Sequence, residues 1–547
     1  MFIREKRIKG YRYLYLVESV REDGRTKQRI IKNLGRKEAV LADGGLDRLA
    51  ASVARYAEHA MVLSAVERGD HADLNCRRIG APLLFERLWR ETGIGGVLDK
   101  LLAERGFEFA VERAVFVGVV HRLFVSGSDR ACEKWMDDYR IDGAGDLRLH
   151  HFYRAMAWLG EERDEPGGGI SPRCVKDVIE EELFERRRDL FSDLSVVFMD
   201  TTSLSFTGAG GETLGERGFS KDHRPDLKQM MVGAVIDGEG RPVCTEMWPG
   251  NTADVTTLIP VVDRLRRRFA IGRVCVVADR GMISRETIAA LEARKLEYIL
   301  GARERSDKIV RDVVLNDSAA MVPLLVERQK GETQLFVKEV RVGEARYIVC
   351  RNEAEAHKDK ADRAAIITGL GKQLKKGDKT LVGNSAYRKF LRTTTKDAFE
   401  IDPGKVADEA RFDGIFVLRT NARVTPLQAV LRYRDLLAVE TLFRQAKALM
   451  RTRPIYHSSD AAIRGHVFCS FLALLMKKDL LDRCRSRGFY PEWGAVLRDL
   501  DRLQEVTIKK DGKDITLRTA AAGVAGKLFQ TAGVALPENV RGTDNAS

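Results

Sequence analysis

The chain has 547 residues, 44% of them hydrophobic, and its 93 Lys and Arg outweigh 80 Asp and Glu for a formal net charge of +13. That length suits roughly three or four domains with a sizeable core, and the basic excess favours a polyanionic partner, nucleic acid ahead of an anionic membrane. Eight scattered cysteines without a CxxC pair argue against a zinc ribbon or a disulfide framework and for reduced, mostly buried thiols in a cytoplasmic protein. The opening "MFIREKRIKGYRYLYLVESV" lacks the apolar core of a signal peptide, and the longest apolar run, "VFCSFLALLM" at 467–476, is too short to span a membrane. A soluble protein is expected.

In chain order, residues 1–36 alternate apolar and polar ("YRYLYLVESV", then "TKQRIIKNLG") around "REDG", the mark of a β-hairpin. They belong to an N-terminal region, 1–44. Residues 45–160 change to helical spacing, as in "APLLFERLWRETGIGGVLDKLL" and "RAVFVGVVHRLFV". "EERDEPGGGISP", 161–172, breaks the pattern and reads as a linker or surface loop.

Residues 173–302 alternate helices and strands: "VKDVIEEELFERRRDLF", a strand ending at Asp200, the pair "KQMMVGAVID" and "RPVCTEMWPG" around "GEG", a helix "VTTLIPVVDRLRRRF", and the strand "RVCVVAD" ending at Asp279. A further helix and the strand "EYILGA" complete a three-layer α/β unit. In the helix, "RLRRRF" reads as the polar face. Residues 303–425 form a mostly-β segment around a basic helical piece. Residues 426–485 are helical, and 486–547 make a C-terminal region whose last stretch, "LPENVRGTDNAS", reads as a frayed tail.

Asp200 and Asp279 share a local grammar: an apolar run, then Asp, then small or polar residues. In open α/β sheets ligands bind beyond the carboxyl ends of the strands, where both acids fall. Neighbouring carboxylates repel unless a cation intervenes, and magnesium suits such oxygen ligands beside phosphate. Each Asp taken alone also suits a simple turn. A third acid, Glu440, lies beside an apolar stripe of Leu436, Val439, Phe443, Ala446 and Met450, with Arg444 and Lys447 on the same side of the helix. By spacing alone, Glu440 and Arg444 make a solvated i, i+4 pair. His457 and His466 are poorly spaced for zinc and lack nearby Cys.

The stretches "VVFMDTTSLSF", "GFSKDHRPDLKQ", "PGNTAD", "VVADRGM" and above all "VETLFRQAK…RPIYH…IRGH" follow one another over most of the chain, after "DGRTKQRIIKNLGR" at 23–36. In that order they resemble DDE-type transposases of bacterial insertion sequences, in the branch of the IS-four superfamily that opens with an "LGR" hairpin. The resemblance implies a ribonuclease-H-like mixed sheet with helices on both faces, interrupted by a mostly-β insertion before the Glu helix. It puts the catalytic, metal-binding triad on Asp200, Asp279 and Glu440, with two Mg2+ ions for which Mn2+ can substitute. The family signature of Tyr, Arg, Glu and Lys falls on Tyr433, Glu440 and Lys447. Leu436 stands in the Arg place and leaves that contact to Arg434 or Arg444. Tyr433, Arg444, Lys447, His223 and Lys228 are the expected DNA contacts; for His223 and Lys228 a solvated loop is an equal reading.

The implied activity is cutting of element ends by two-metal phosphodiester hydrolysis, then joining of the 3′-hydroxyl ends to target DNA. The implied partners are double-stranded DNA, at element ends and target, and a second copy of the chain, in the cytoplasm at the nucleoid. The helical region 45–160 becomes a DNA-binding domain. A stand-alone nuclease of the same fold and a DNA-binding repressor with an inactive core are the alternatives.

Overall fold

The computed structural model describes residues 1–22, 25–46, 49, 73–164, 171–187, 196–269, 274–328, 331–375, 385–395, 398–448, 455–510 and 513–544. The turn residues Asp23 and Gly24, the centre of the glycine-rich break (165–170) and the stripe residue Met450 lie outside them. Two compact units emerge: Met1–Gly80 with Asp499–Gly523 and Ala535–Ser547, and Ala81–Arg498 with Val524–Val534.

In the first unit β1 (Phe2–Ile8), β2 (Tyr11–Glu22) and β3 (Arg25–Arg36) form an antiparallel meander. The predicted hairpin is its β2–β3 half. A second sheet, ordered β18-β17-β16-β4, joins β4 (Asp73–Arg78) to three strands from the other end of the chain. One of those, β18 (Val540–Asp544), pairs with β17 (Lys513–Arg518) against β16 (Gln504–Lys510). The frayed-tail reading is therefore wrong as far as Asp544: its polar composition suits an edge strand, which need bury only one face.

The second unit is built on a nine-stranded mixed sheet. One side of it comprises β5 (Val196–Ser205), β6 (Gln229–Ile236), β7 (Pro242–Pro249), β8 (Cys275–Ala278) and β9 (Glu297–Gly301), ordered β7-β6-β5-β8-β9 with β7 at the edge. β8 runs parallel to both β5 and β9, while β6 and β7 return antiparallel as the predicted hairpin. Strands β10 (Val322–Arg328), β11 (Gly331–Val342), β12 (Ala345–Asn352) and β15 (Ile415–Thr420), from the 303–425 segment, extend this sheet beyond β9. The same segment holds the helix Glu353–Leu374 and the hairpin β13 (Leu391–Thr395) with β14 (Ala398–Ile401).

Strand alternation sorts the core into two layers. Val196, Phe198, Cys275 and Val277 face one layer with Leu436, Val439, Phe443 and Val467 from the helices after residue 426. Val197, Met199, Val276 and Ala278 face the other, with Leu258, Val261 and Leu265 of the helix Asp254–Arg268. Both faces are covered, which is why these strands read as continuous apolar runs.

Helices Val111–Phe124 and Leu149–Leu159 pack on the long helix Asp460–Ser486, which also reaches β7. The apolar run 467–476 is the buried middle of that helix. A methyl on Gly465 would sit 2.0 Å from the Met156 carbonyl oxygen, so only glycine allows this approach. Among the described residues no helix is long and apolar enough to cross a membrane.

Three expectations are corrected. β5 does not end at Asp200 but runs on to Ser205 against β6; the residues after Asp200 include two β-branched threonines suited to a strand. The predicted single helix around Glu440 is two, Pro426–Asp435 and Leu437–Ala448, joined through Leu436. The first opens with a reciprocal cap: Thr425 Oγ1 accepts from the Gln428 amide, and Gln428 Oε1 accepts from that of Thr425. Finally, "RLRRRF" is a polar face only in part: Arg267 is exposed, but two of its arginines are tied inward. Arg264 pairs with Glu246 at 2.6 Å, and Arg268, with a 6% exposed side chain, is enclosed by Asp177, Glu180 and Glu181.

Candidate active site

The pairing of β5 with β8 ends at Met199 opposite Ala278. The next residue on each strand is an acid, Asp200 and Asp279, so two carboxylates stand side by side where the parallel pair opens. Both keep the parity of Phe198 and Val277 and therefore face the layer of the Glu440 helix. Asp279 and Glu440 line one cavity of about 200 Å³ together with Asn352, Phe416, Tyr433 and Arg434. Burial pushes the Asp200 carboxyl up to about 6; Lys221 and the Thr201 amide pull it down, while the charges of Asp279 and Glu440 push it further up. The charges of Asp279 and Glu440 thus reach Asp200. Carboxylates gathered on one face of a sheet, with burial holding that of Asp200 back from ionising, are donors of the kind that suits divalent cations with oxygen ligands.

Tyr433 lies on the helix before Glu440, and its hydroxyl donates to Asp279 Oδ1 at 3.1 Å. Burial, and then Asp279, hold the phenol well above its usual range. A methyl on Gly301, at the end of β9, would come within 2.3 Å of that hydroxyl, so glycine there gives the ring its path. Arg434, in the same cavity, has a buried Nη1 with no hydrogen-bond partner among the described residues.

The other expected contacts are dispersed. Glu440 and Arg444 are both exposed, and among the described residues they form no ion pair. Lys447 is not on an open face: its Nζ lies 3.1 Å from Asp222 Oδ1, with side chains only 12% and 18% exposed. His223 and Lys228 are exposed on the loop between β5 and β6, and His223 takes a left-handed backbone with φ of 57°.

Two groups beside Asp200 escaped the sequence reading. Lys221 Nζ lies 4.0 Å from Asp200 Oδ1 and 3.1 Å from Asp254 Oδ2. Asp254 begins the helix on the far face of the sheet and accepts from Thr201 Oγ1 at 2.7 Å. Both lie inside stretches that the resemblance had singled out, "SKDH" and "PGNTAD", but no spacing distinguished them from their neighbours.

His457 and His466 do meet an acid in space. Their ligating atoms and that of Asp129 lie within 4.8 Å of one another, in a cavity of about 470 Å³. The set does not fit a metal, because Arg122 already supplies the cation. Its Nη2 is 3.0 Å from His466 Nδ1 and 3.6 Å from Asp129 Oδ1. Arg can only donate, so His466 Nδ1 accepts and its lone pair is taken. Seven of the eight cysteines are buried, Cys76 is exposed, and all are free thiols.

The family described as IS1634 family transposase, N-terminal domain, matches residues 3–65. No curated protein matches the chain. Among solved structures, the piggyBac transposase synaptic complex with hairpin DNA is similar at 10% identity, over 77% of this chain and 79% of that one, with a TM-score of 0.34; a likeness so loose carries no argument. The transposase DDE domain matches residues 191–476, more than half of the chain and the whole stretch from β5 to the long helix. The chain therefore belongs to the DDE-type transposases of insertion sequences.

Proposed function

We propose that the protein cuts the ends of an insertion sequence and joins the freed 3′-hydroxyls to target DNA at a single centre of Asp200, Asp279 and Glu440. The observation that carries the reading is the side-by-side placing of Asp200 and Asp279 at the opening of a parallel strand pair, on the face beneath the Glu440 helix. The order β7-β6-β5-β8-β9, with its antiparallel hairpin beside three parallel strands, supports a ribonuclease-H-like core.

Asp200, Asp279 and Glu440 would hold two Mg2+ ions, with Mn2+ as a substitute. When bound, such a pair activates the attacking oxygen and stabilises the leaving one in an in-line displacement. The chain's own groups do the rest. β5 and β8 fix two carboxylates on rigid strands. The Tyr433 hydroxyl orients Asp279, and Arg434, which lines the same cavity, would offer a scissile phosphate a cationic partner. The basic balance of the chain draws in double-stranded DNA, two copies acting together would serve two ends, and residues 1–160 would recognise the terminal sequences.

The test is Asp200→Ala in the full chain with end-containing duplexes and Mg2+. Cleavage should disappear while DNA binding persists, and the wild type should also join 3′-hydroxyl ends to a target plasmid. Cutting without joining would make it a nuclease; binding without cutting by the wild type would make it a repressor. Unchanged cleavage by Asp200→Ala would overturn the site.

A further inference from the structure

Behind Asp200 lies a closed set of contacts that the three acids do not explain. Thr201, 2% exposed, follows Asp200 on β5 and faces the opposite layer. Where β8 has stopped, other groups take its backbone: its N–H donates to Asp200 Oδ1 at 2.7 Å, and its carbonyl accepts from Lys221 Nζ at 2.7 Å. Its hydroxyl accepts from Lys221 Nζ at 2.8 Å and donates to Asp254 Oδ1 at 2.7 Å. Lys221 Nζ also lies 3.1 Å from Asp254 Oδ2.

The Lys221 ammonium is held by two hydrogen bonds, to the Thr201 carbonyl and hydroxyl, and by its ion pair with Asp254. Asp254 is engaged through both oxygens, by Thr201 on one and Lys221 on the other. The loop that carries Lys221 is fastened as well, since the Lys221 amide donates to Ser203 Oγ at 3.1 Å and the Ser220 hydroxyl accepts from the Asp222 and Arg224 amides. The Lys221 and Asp254 side chains both meet at Thr201, whose amide reaches one oxygen of Asp200.

Resting on the proposed reading of Asp200 as a metal ligand, we propose that Thr201, Lys221 and Asp254 are positioning residues that fix the Oδ1 edge of the Asp200 carboxylate and leave Oδ2 to a divalent cation. The advantage is preorganisation: a ligand already held in place spends little conformational freedom when the ion arrives. Asp254 acts through Thr201, not as a fourth ligand.

The experiment measures Mn2+ affinity of the full chain without DNA, by calorimetry, with thermal melts as the control for folding. Thr201→Val keeps shape and charge but removes the hydroxyl; it should weaken Mn2+ binding about tenfold. Asp254→Asn should do the same, and the double variant should lose about tenfold, not a hundredfold, because both act through one hydrogen bond. Thr201→Ser should stay within about twofold of wild type. Should Thr201→Val fail to fold, Asp254→Asn decides alone: wild-type affinity overturns the proposal and a tenfold loss upholds it. Wild-type affinity in both variants, while Asp200→Ala loses Mn2+, overturns this inference and spares the proposed function. A hundredfold loss in the double variant makes Asp254 a direct ligand and also overturns it. Unchanged affinity in Asp200→Ala overturns the reading of the site itself.

Discussion

Tyr433 and Asp279, 154 positions apart in the chain, meet through a hydrogen bond of 3.1 Å. The contact ties the helix that leads to Glu440 to the strand that presents the second acid, so the Glu helix is fastened to the site before any ion or DNA arrives.

Tyr433→Phe removes that bond and nothing else. A hydrogen bond to a carboxylate is worth about 1.5–3 kcal/mol, so cleavage of end-containing DNA should fall roughly ten- to a hundredfold. Gly301→Ala should move activity the same way, since its methyl would lie 2.3 Å from the hydroxyl. Initial cleavage rates of both variants, with melts to confirm folding, check this; a wild-type rate in Tyr433→Phe would show that the hydroxyl does not position Asp279.

Lys447 and Asp222 link the Glu440 helix to the loop that carries Lys221. Because this pair is mostly shielded, its loss should be felt in stability, unlike that of an exposed i, i+4 pair. Lys447→Ala and Asp222→Ala should each cost about 1–2 kcal/mol, and a double-mutant cycle should show about 1 kcal/mol of coupling. Lys447→Ala should leave the salt dependence of DNA binding unchanged, because its charge is spent on Asp222 rather than on a phosphate. Denaturant titrations of the four proteins test the first part; purely additive losses would mean that the pair contributes nothing as a pair.

The acids were legible because each ends or interrupts a pattern. Asp200 and Asp279 interrupt runs of apolar residues that alternate across two covered faces, and Glu440 flanks a stripe whose Leu436, Val439 and Phe443 are buried. Lys221 was not legible. It sits in a loop without period, where only the turn at Ser220 sends it inward and leaves His223 outward. Asp254 looked like any acid in the first turn of a helix. Arg122, Asp129 and His466 come from three helices, and no local spacing could bring them together. Pairing with β6 carried β5 past Asp200, and hydroxyl residues in a row gave no warning of it.

His121 shows a pH effect away from the site. It is 1% exposed, and neither ring nitrogen has a hydrogen-bond partner among the described residues. Burial, and then the charge of Arg122, lower its pKa from 6.5 to about 4. A histidine held neutral in the fold contributes stability that is present above its unfolded pKa and lost as pH falls through roughly 6.5 to 4. The ceiling is about 3 kcal/mol. Melts of wild type and His121→Leu at pH 7 and pH 4.5 should show a smaller acid-induced drop in the variant. Equal drops would show that His121 takes up no proton on unfolding.

Arg268 closes the helix that Asp254 opens, and its Nε and Nη2 are both taken. Nε donates to Glu181 at 2.6 Å, and Nη2 donates to Glu180 at 2.8 Å and to the Asp177 carbonyl at 2.7 Å. Lys176, itself buried, holds Asp177 Oδ1 at 2.7 Å. Replacing Arg268 with Met would leave Glu180 and Asp177 short of positive charge in a place where water does not reach. Breaking a buried pair from one side costs about 3–5 kcal/mol, far more than the net worth of the pair. Arg268→Lys should recover only part of this, because a point charge cannot serve three acceptors set around a planar fork. Urea titrations should show a lower midpoint at unchanged slope in both variants, larger for Met. A loss below about 1 kcal/mol in Arg268→Met would mean that the carboxylates take up protons or find water instead, and that the cluster does not hold this helix on the sheet.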